Sequence, residues 1–179
     1  QCETYRRTLV MVDVGPHQGY FVDFFTVVGG HEHDYSLHGP PGTFVLTGGQ
    51  WTAPAKGTLA GENVGRDEIY DDPVLGAAGY AGSYMGYRGS GFQHFTGVQR
   101  HEGGEWSGDY THEKDPAAKL RIRVLDQPGQ TVMLADARVT PVKYPQELKY
   151  VLARRTGAPG GKLASHFVSV LEPYSDQPL

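Results

Sequence analysis

Cysteine is almost absent. Cys2 is the only one in 179 residues, so no internal disulfide can form. Its place beside the terminus, where chains fray, gives a thiol no built surroundings and leaves it chemically silent. No run of Lys and Arg occurs and the formal net charge is -4, which argues against nucleic acid as a partner. No apolar stretch approaches the roughly 20 residues a membrane helix needs, so no membrane partner is expected. A phosphate loop, a dinucleotide fingerprint and a His-Glu-x-x-His motif are all missing. Ser90 in Gly89-Ser90-Gly91 lacks the glycine two residues to either side that a nucleophile elbow requires. No segment combines an apolar helical stripe with caps; only Tyr144 to Lys149, entered through Pro145, suggests a single helical turn. The opening Gln1-Cys2-Glu3 has neither an initiator Met nor a signal-peptide pattern. A mature product, or the downstream piece of a longer chain, is therefore expected.

What is present is glycine, 25 residues, with 12 prolines and a hydrophobic fraction of 39%. That fraction is ordinary for a folded chain. Gly and Pro cluster between apolar runs and follow no collagen period, the punctuation of short strands joined by turns. The runs are Thr8 to Val14 and Tyr20 to Val28, which read as a hairpin, then His33 to His38 and Thr43 to Thr47. Strands resume at Phe92 to Arg100, Trp106 to Thr111, Leu120 to Leu125, Thr131 to Ala135, Leu148 to Ala153 and His166 to Leu171. Residues 48–91, rich in Gly, Tyr and Asp, have no sustained period and read as a long irregular insertion, a kind of loop that is often functional. Tyr20 to Val28 is apolar on both faces and should be covered on both. The expectation is one all-β domain over residues 1–179, an antiparallel two-sheet β-sandwich of jelly-roll or supersandwich type.

Three groups of residues suggest chemistry. Gly29-Gly30-His31-Glu32-His33-Asp34-Tyr35-Ser36-Leu37-His38 holds three histidines in eight positions. On a strand His31 and His33 share a face, and His38 joins them only through a bend. A metal site, structural histidines at a strand end, and a substrate-facing polar cluster are the three readings. The spacing is also similar to a cupin metal motif, although Leu37 and His38 occupy the neighbourhood where that motif has a Glu. The second group is aromatic: Trp51, then Tyr70, Tyr80, Tyr84, Tyr87 and Phe92. Aromatic faces stack on sugar rings, or they plug an ordered loop. The third is acidic, Glu62, Asp67, Glu68, Asp71 and Asp72, either a calcium site without EF-hand spacing or a solvated loop face. The pairs Arg6-Arg7 and Arg154-Arg155 read as carboxylate binders or as solvated strand edges.

The segments Tyr5-Arg6-Arg7-Thr8-Leu9, Val12-Asp13-Val14, Tyr20-Phe21-Val22-Asp23-Phe24-Phe25 and Gly29 to Gly39 resemble the β-region of heparinase II/III-like polysaccharide lyases. Gly82-Ser83-Tyr84, Gly89-Ser90-Gly91-Phe92 and Phe167 to Tyr174 extend the resemblance over nearly the whole chain, with His-Asp-Tyr-Ser-x-His-Gly as its most specific part. The resemblance implies cleavage of uronic-acid polysaccharide by β-elimination, a periplasmic or extracellular location, and an upstream α/α toroid or companion chain as partner. It also implies that the toroid and a zinc-binding His-Met-Asp-like segment supply the catalytic Tyr and the metal. Neither has a counterpart here, so this chain is assigned no cofactor of its own and no catalytic residue. His31, His33, Asp34, Tyr35, His38, Trp51, Tyr84, Tyr87 and Arg88 are the residues expected to meet substrate. Two alternatives remain open: a noncatalytic carbohydrate-binding or scaffolding module, and a cupin-like metalloenzyme using His31, His33 and His38.

Overall fold

A computed structural model describes residues 2–138 and 147–179. Alternation of apolar and polar residues forms nine strands: β1 (Thr4–Gly15), β2 (Gln18–Val28), β3 (Glu32–His38), β4 (Gly42–Trp51), β5 (Thr96–His112), β6 (Lys119–Val124), β7 (Gln130–Arg138), β8 (Glu147–Thr156) and β9 (Ala164–Tyr174). All pair antiparallel, in the order β1-β2-β9-β6-β5-β7-β8-β3, with β4 added against β5. The β1–β2 hairpin and the alternation of β6 match the sequence reading. The only helical element among the described residues is a 3-10 turn, Phe92–His94. Of the turn suggested over Tyr144 to Lys149, residues 144–146 lie outside the described residues, and 147–149 are strand.

The expected pair of separate sheets is replaced by one strongly curled antiparallel sheet, a half-barrel. The cause is β5. Phe92 to Arg100 and Trp106 to Thr111 read as two strands because Gly103-Gly104 resembles a turn. In the structure both glycines take positive φ, 146° and 83°, and the register against β4 shifts there. The chain therefore bends through a bulge without reversing. One half of β5 pairs with β6 and the other with β7, so the ladder runs continuously round the curve. Residues 48–51, read as the start of the insertion, belong to β4.

Curling brings the two arms of the sheet face to face. Phe25, Phe167, Ile122, Trp106 and Tyr110 from one arm pack with Tyr35, Val132, Leu134, Val151 and Ala153 from the other. Phe167 stacks on Phe25 and on Tyr35, which are tilted to each other, with centroids 6.0–6.2 Å apart. The arms do not join by a backbone ladder between β2 and β3. Side chains bridge the seam instead. Within one arm, Arg7 of β1 anchors the fully buried Asp23 carboxylate of β2 through Nε at 2.9 Å and Nη2 at 2.5 Å. The Tyr35 hydroxyl donates to Asp23 at 3.1 Å and bonds the Ser169 hydroxyl at 2.8 Å. His33 reaches Ser165 at 2.9 Å through Nδ1 and the Gly29 carbonyl at 2.5 Å through Nε2.

Candidate functional site

Strand alternation on β3 splits the histidine-rich segment between two environments. His33 and Tyr35 point into the core and close the seam. Asp34 and His38 point to the outer face. His31 precedes the strand and is exposed. Burial pushes the Tyr35 phenol up to about 12. Both ring nitrogens of His33 are engaged by protein, and among the described residues no three His, Cys, Asp or Glu side chains converge on a metal position. Trp51, at the end of β4, packs partly buried against His101 and Trp106 at 5.0 and 5.3 Å. It packs against the core cluster that also holds Tyr35.

The outer face of β7 and β8 is covered by the chain that follows β4. Ala55, Leu59, Phe95 and Tyr150 pack over Val98, Met133, Ala135 and Leu152. At the edge of this cover Arg154 makes a fork to Asp34, at 2.8 and 3.1 Å, and lies 4.8 Å from the Phe92 ring. The acidic residues of the loop organise it. Asp72 accepts the Val74 and Leu75 amides at 2.9 Å, and Glu68 accepts that of Gly65 at 2.6 Å. Asp71 accepts the Tyr87 hydroxyl at 2.7 Å and the Ser90 amide at 3.1 Å, bonds that hold its carboxyl below the ordinary value. Gln93 donates to the Tyr87 hydroxyl at 2.8 Å. Tyr70 and Ser90 share a bond of 2.5 Å. Tyr84, half exposed, meets Tyr80 edge-on at 5.3 Å. Arg88 is exposed beside them. Asp34, Tyr84, Tyr87 and Arg88 thus belong to this loop and its seat.

Beneath the loop lies a cavity of 550 Å³ lined by Arg66, Asp67, Gly91, His94, Phe95, Ala137, Arg138 and Tyr150. That size falls within the roughly 300–1,000 Å³ of ordinary ligand sites. Its walls are aromatic: Phe95 meets Tyr150 edge-on at 5.0 Å, and His38 packs against Tyr150 at 4.8 Å. Its polar rim mixes charges, Arg66, Arg138 and His94 with Asp67. Arg66 Nη1 pairs with Glu147 at 2.6 Å. Arg66 Nε and Nη2 are buried and have no hydrogen-bond partner among the described residues. A buried donor without an acceptor is costly, and a guanidinium presenting two donors side by side matches a carboxylate. His94 Nδ1 contacts Asp67 at 2.8 Å. Burial raises the Tyr150 phenol, which keeps it protonated and able to donate.

Sequence reasoning missed Arg66, His94, Phe95 and Arg138. The one available signal was Arg66 itself, an isolated cation within the acid-rich 62–72 stretch. Compared with known protein-family models and with curated proteins, the chain matches none.

Proposed function

We propose that the chain is the β-sheet portion of a heparinase II/III-like lyase that cleaves uronic-acid-containing polysaccharide by β-elimination. In this reading it acts outside the cytoplasm, beside an α/α toroid domain or companion chain that supplies the catalytic set and any zinc. This chain contributes cleft residues and support. The observation that carries the reading is Arg66, which lines a cavity walled by Phe95 and Tyr150 and whose Nε and Nη2 have no hydrogen-bond partner among the described residues.

The chemistry is consistent with that division of labour. β-Elimination removes the proton at C5 of the uronate and expels the C4 oxygen, so negative charge develops next to the carboxylate. A guanidinium bonded to that carboxylate lowers the cost of the charge. Phe95 and Tyr150 offer apolar faces for the sugar ring, and Tyr84 and Tyr87 extend the aromatic surface along the loop. The half-exposed Tyr84 equally favours a noncatalytic carbohydrate-binding module. The two readings part when the toroid is supplied: the lyase reading expects the ultraviolet absorbance of an unsaturated uronate to appear only then.

Titration calorimetry tests the shared premise. The chain is expected to bind a hexuronate oligosaccharide and not its neutral hexose counterpart. Arg66→Gln is expected to weaken binding about tenfold or more, the scale of a lost charge-assisted bond. Equal affinity for charged and neutral sugars, or full affinity in Arg66→Gln, overturns the proposal.

A further inference from the structure

β1 is an edge strand of twelve residues, and beyond the charges of Arg6 and Arg7 its sequence does little to protect the edge. From Thr4 to Val12 it has no Pro, no Lys and no bulge; the single register shift falls between Asp13 and Gly15. Natural sheets blunt such edges with those devices. Apolar side chains stand exposed on both faces: Leu9 at 54% and Met11 at 67% on the concave side, Val10 on the convex side. The other free edges differ. β3 faces the bridged seam, and β4 is interrupted by shifts at Gly48, Gln50 and Trp51.

The phase of the ladder shows which backbone groups are free. The Leu125 amide bonds the Val168 carbonyl, and the Gly29 amide bonds the Leu163 carbonyl. Counting through the paired registers of β9 and β2, the even residues of β1 turn their amides and carbonyls toward β2. Tyr5, Arg7, Leu9, Met11 and Asp13 turn theirs outward.

We infer that β1 pairs antiparallel with β1 of a second copy of this chain, about a two-fold axis through Val10, making one continuous sheet. This register sets Leu9 against Met11 on the concave face and Thr8 against Val12 on the convex face. It also sets Arg7 against Asp13, giving opposite charges at both ends of the ladder. Arg7 holds Asp23 through Nε and Nη2, which leaves Nη1 for the carboxylate of the second copy. Moving the axis to Leu9 places Arg7 against Met11 and Tyr5 against Asp13. Moving it to Met11 places Leu9 against Asp13. Of these three registers only the one through Val10 sets Arg7 against Asp13 and Leu9 against Met11 on the concave face; on the convex face it sets Arg6 against Val14.

Cross-linking tests both the pairing and the register. In a Cys2→Ser background, Val10→Cys is expected to oxidise to a covalent dimer. The axis places position 10 opposite itself, in a non-hydrogen-bonded pair with Cα atoms about 4.5 Å apart, within disulfide reach. Thr8→Cys, opposite Val12, is expected to stay uncross-linked. In sedimentation velocity the unaltered chain is expected to move from monomer to dimer as concentration rises. Leu9→Lys is expected to hold it monomeric with an unchanged melting temperature. A monomer at every concentration, dimers that persist in Leu9→Lys, or equal cross-linking at positions 8 and 10 overturns the inference.

Discussion

Replacing Asp23 by Asn tests how the half-barrel is held shut. Asp23 is 0% exposed and accepts from Arg7 Nε, Arg7 Nη2 and the Tyr35 hydroxyl. Asparagine is nearly isosteric, so packing is kept. The change removes a charge and turns one acceptor oxygen into a donor facing donors. The ion pair alone is worth little, because the Arg7 side chain is 52% exposed and rehydrates, about 1 kcal/mol. The buried donor–donor mismatch adds about 1–3 kcal/mol. The sum is about 3 kcal/mol, which for a chain of 179 residues lowers Tm by about 6–12 °C. Tyr35→Phe loses one hydroxyl and is expected to cost about 1 kcal/mol. Because Asp23 and Tyr35 share a bond, the double variant should cost less than the two singles combined. Calorimetry of the three variants checks the cycle. A loss under about 0.5 kcal/mol for Asp23→Asn, the scale of an ordinary surface change, or strict additivity, refutes the claim that these side chains close the seam.

Other outcomes follow from single contacts. Tyr35, raised from 10.0 to about 12 by burial, binds its proton more tightly folded than unfolded. It therefore contributes stability below pH 10.0 that is lost as pH rises toward 12, and Tyr35→Phe should remove that part of the alkaline transition. Asp71 is held below its ordinary value of 3.8, so its contribution is present above that pH and is lost as pH falls through the depressed value. The Tyr87 ring resonances should shift in that acid window, and Asp71→Asn should abolish the shift. A methyl at Gly108 would land on the Phe44 ring, so Gly108→Ala is expected to cost about 1–3 kcal/mol by overpacking, read by denaturant unfolding.

Much of the fold was legible because alternation reports burial directly. Leu120, Ile122 and Val124 face one way and β6 is a strand; the turn between Val14 and Tyr20 closes a hairpin. The curl was not legible. Gly103-Gly104 satisfies a turn and a bulge equally, and only pairing with β4, β6 and β7 decides between them. The histidine segment shows a similar limit. Local parity placed His33 and His31 together, but β3 begins at Glu32, so the two do not share a strand face. The cavity was out of reach for another reason. Arg66 comes from the loop, Phe95 from the approach to β5, Arg138 from β7 and Tyr150 from β8, and no periodicity links residues so far apart in sequence. A buried, unpartnered donor becomes visible only in three dimensions.

The most direct test is to follow the Arg66 Nε–H resonance while a hexuronate oligosaccharide is titrated in. With a carboxylate accepting from Nε and Nη2, that proton should move downfield and exchange more slowly with water, and the His94 and Tyr150 ring signals should shift along the same saturation curve. An Arg66 Nε–H signal that stays fixed while the sugar binds and shifts resonances elsewhere would contradict the account.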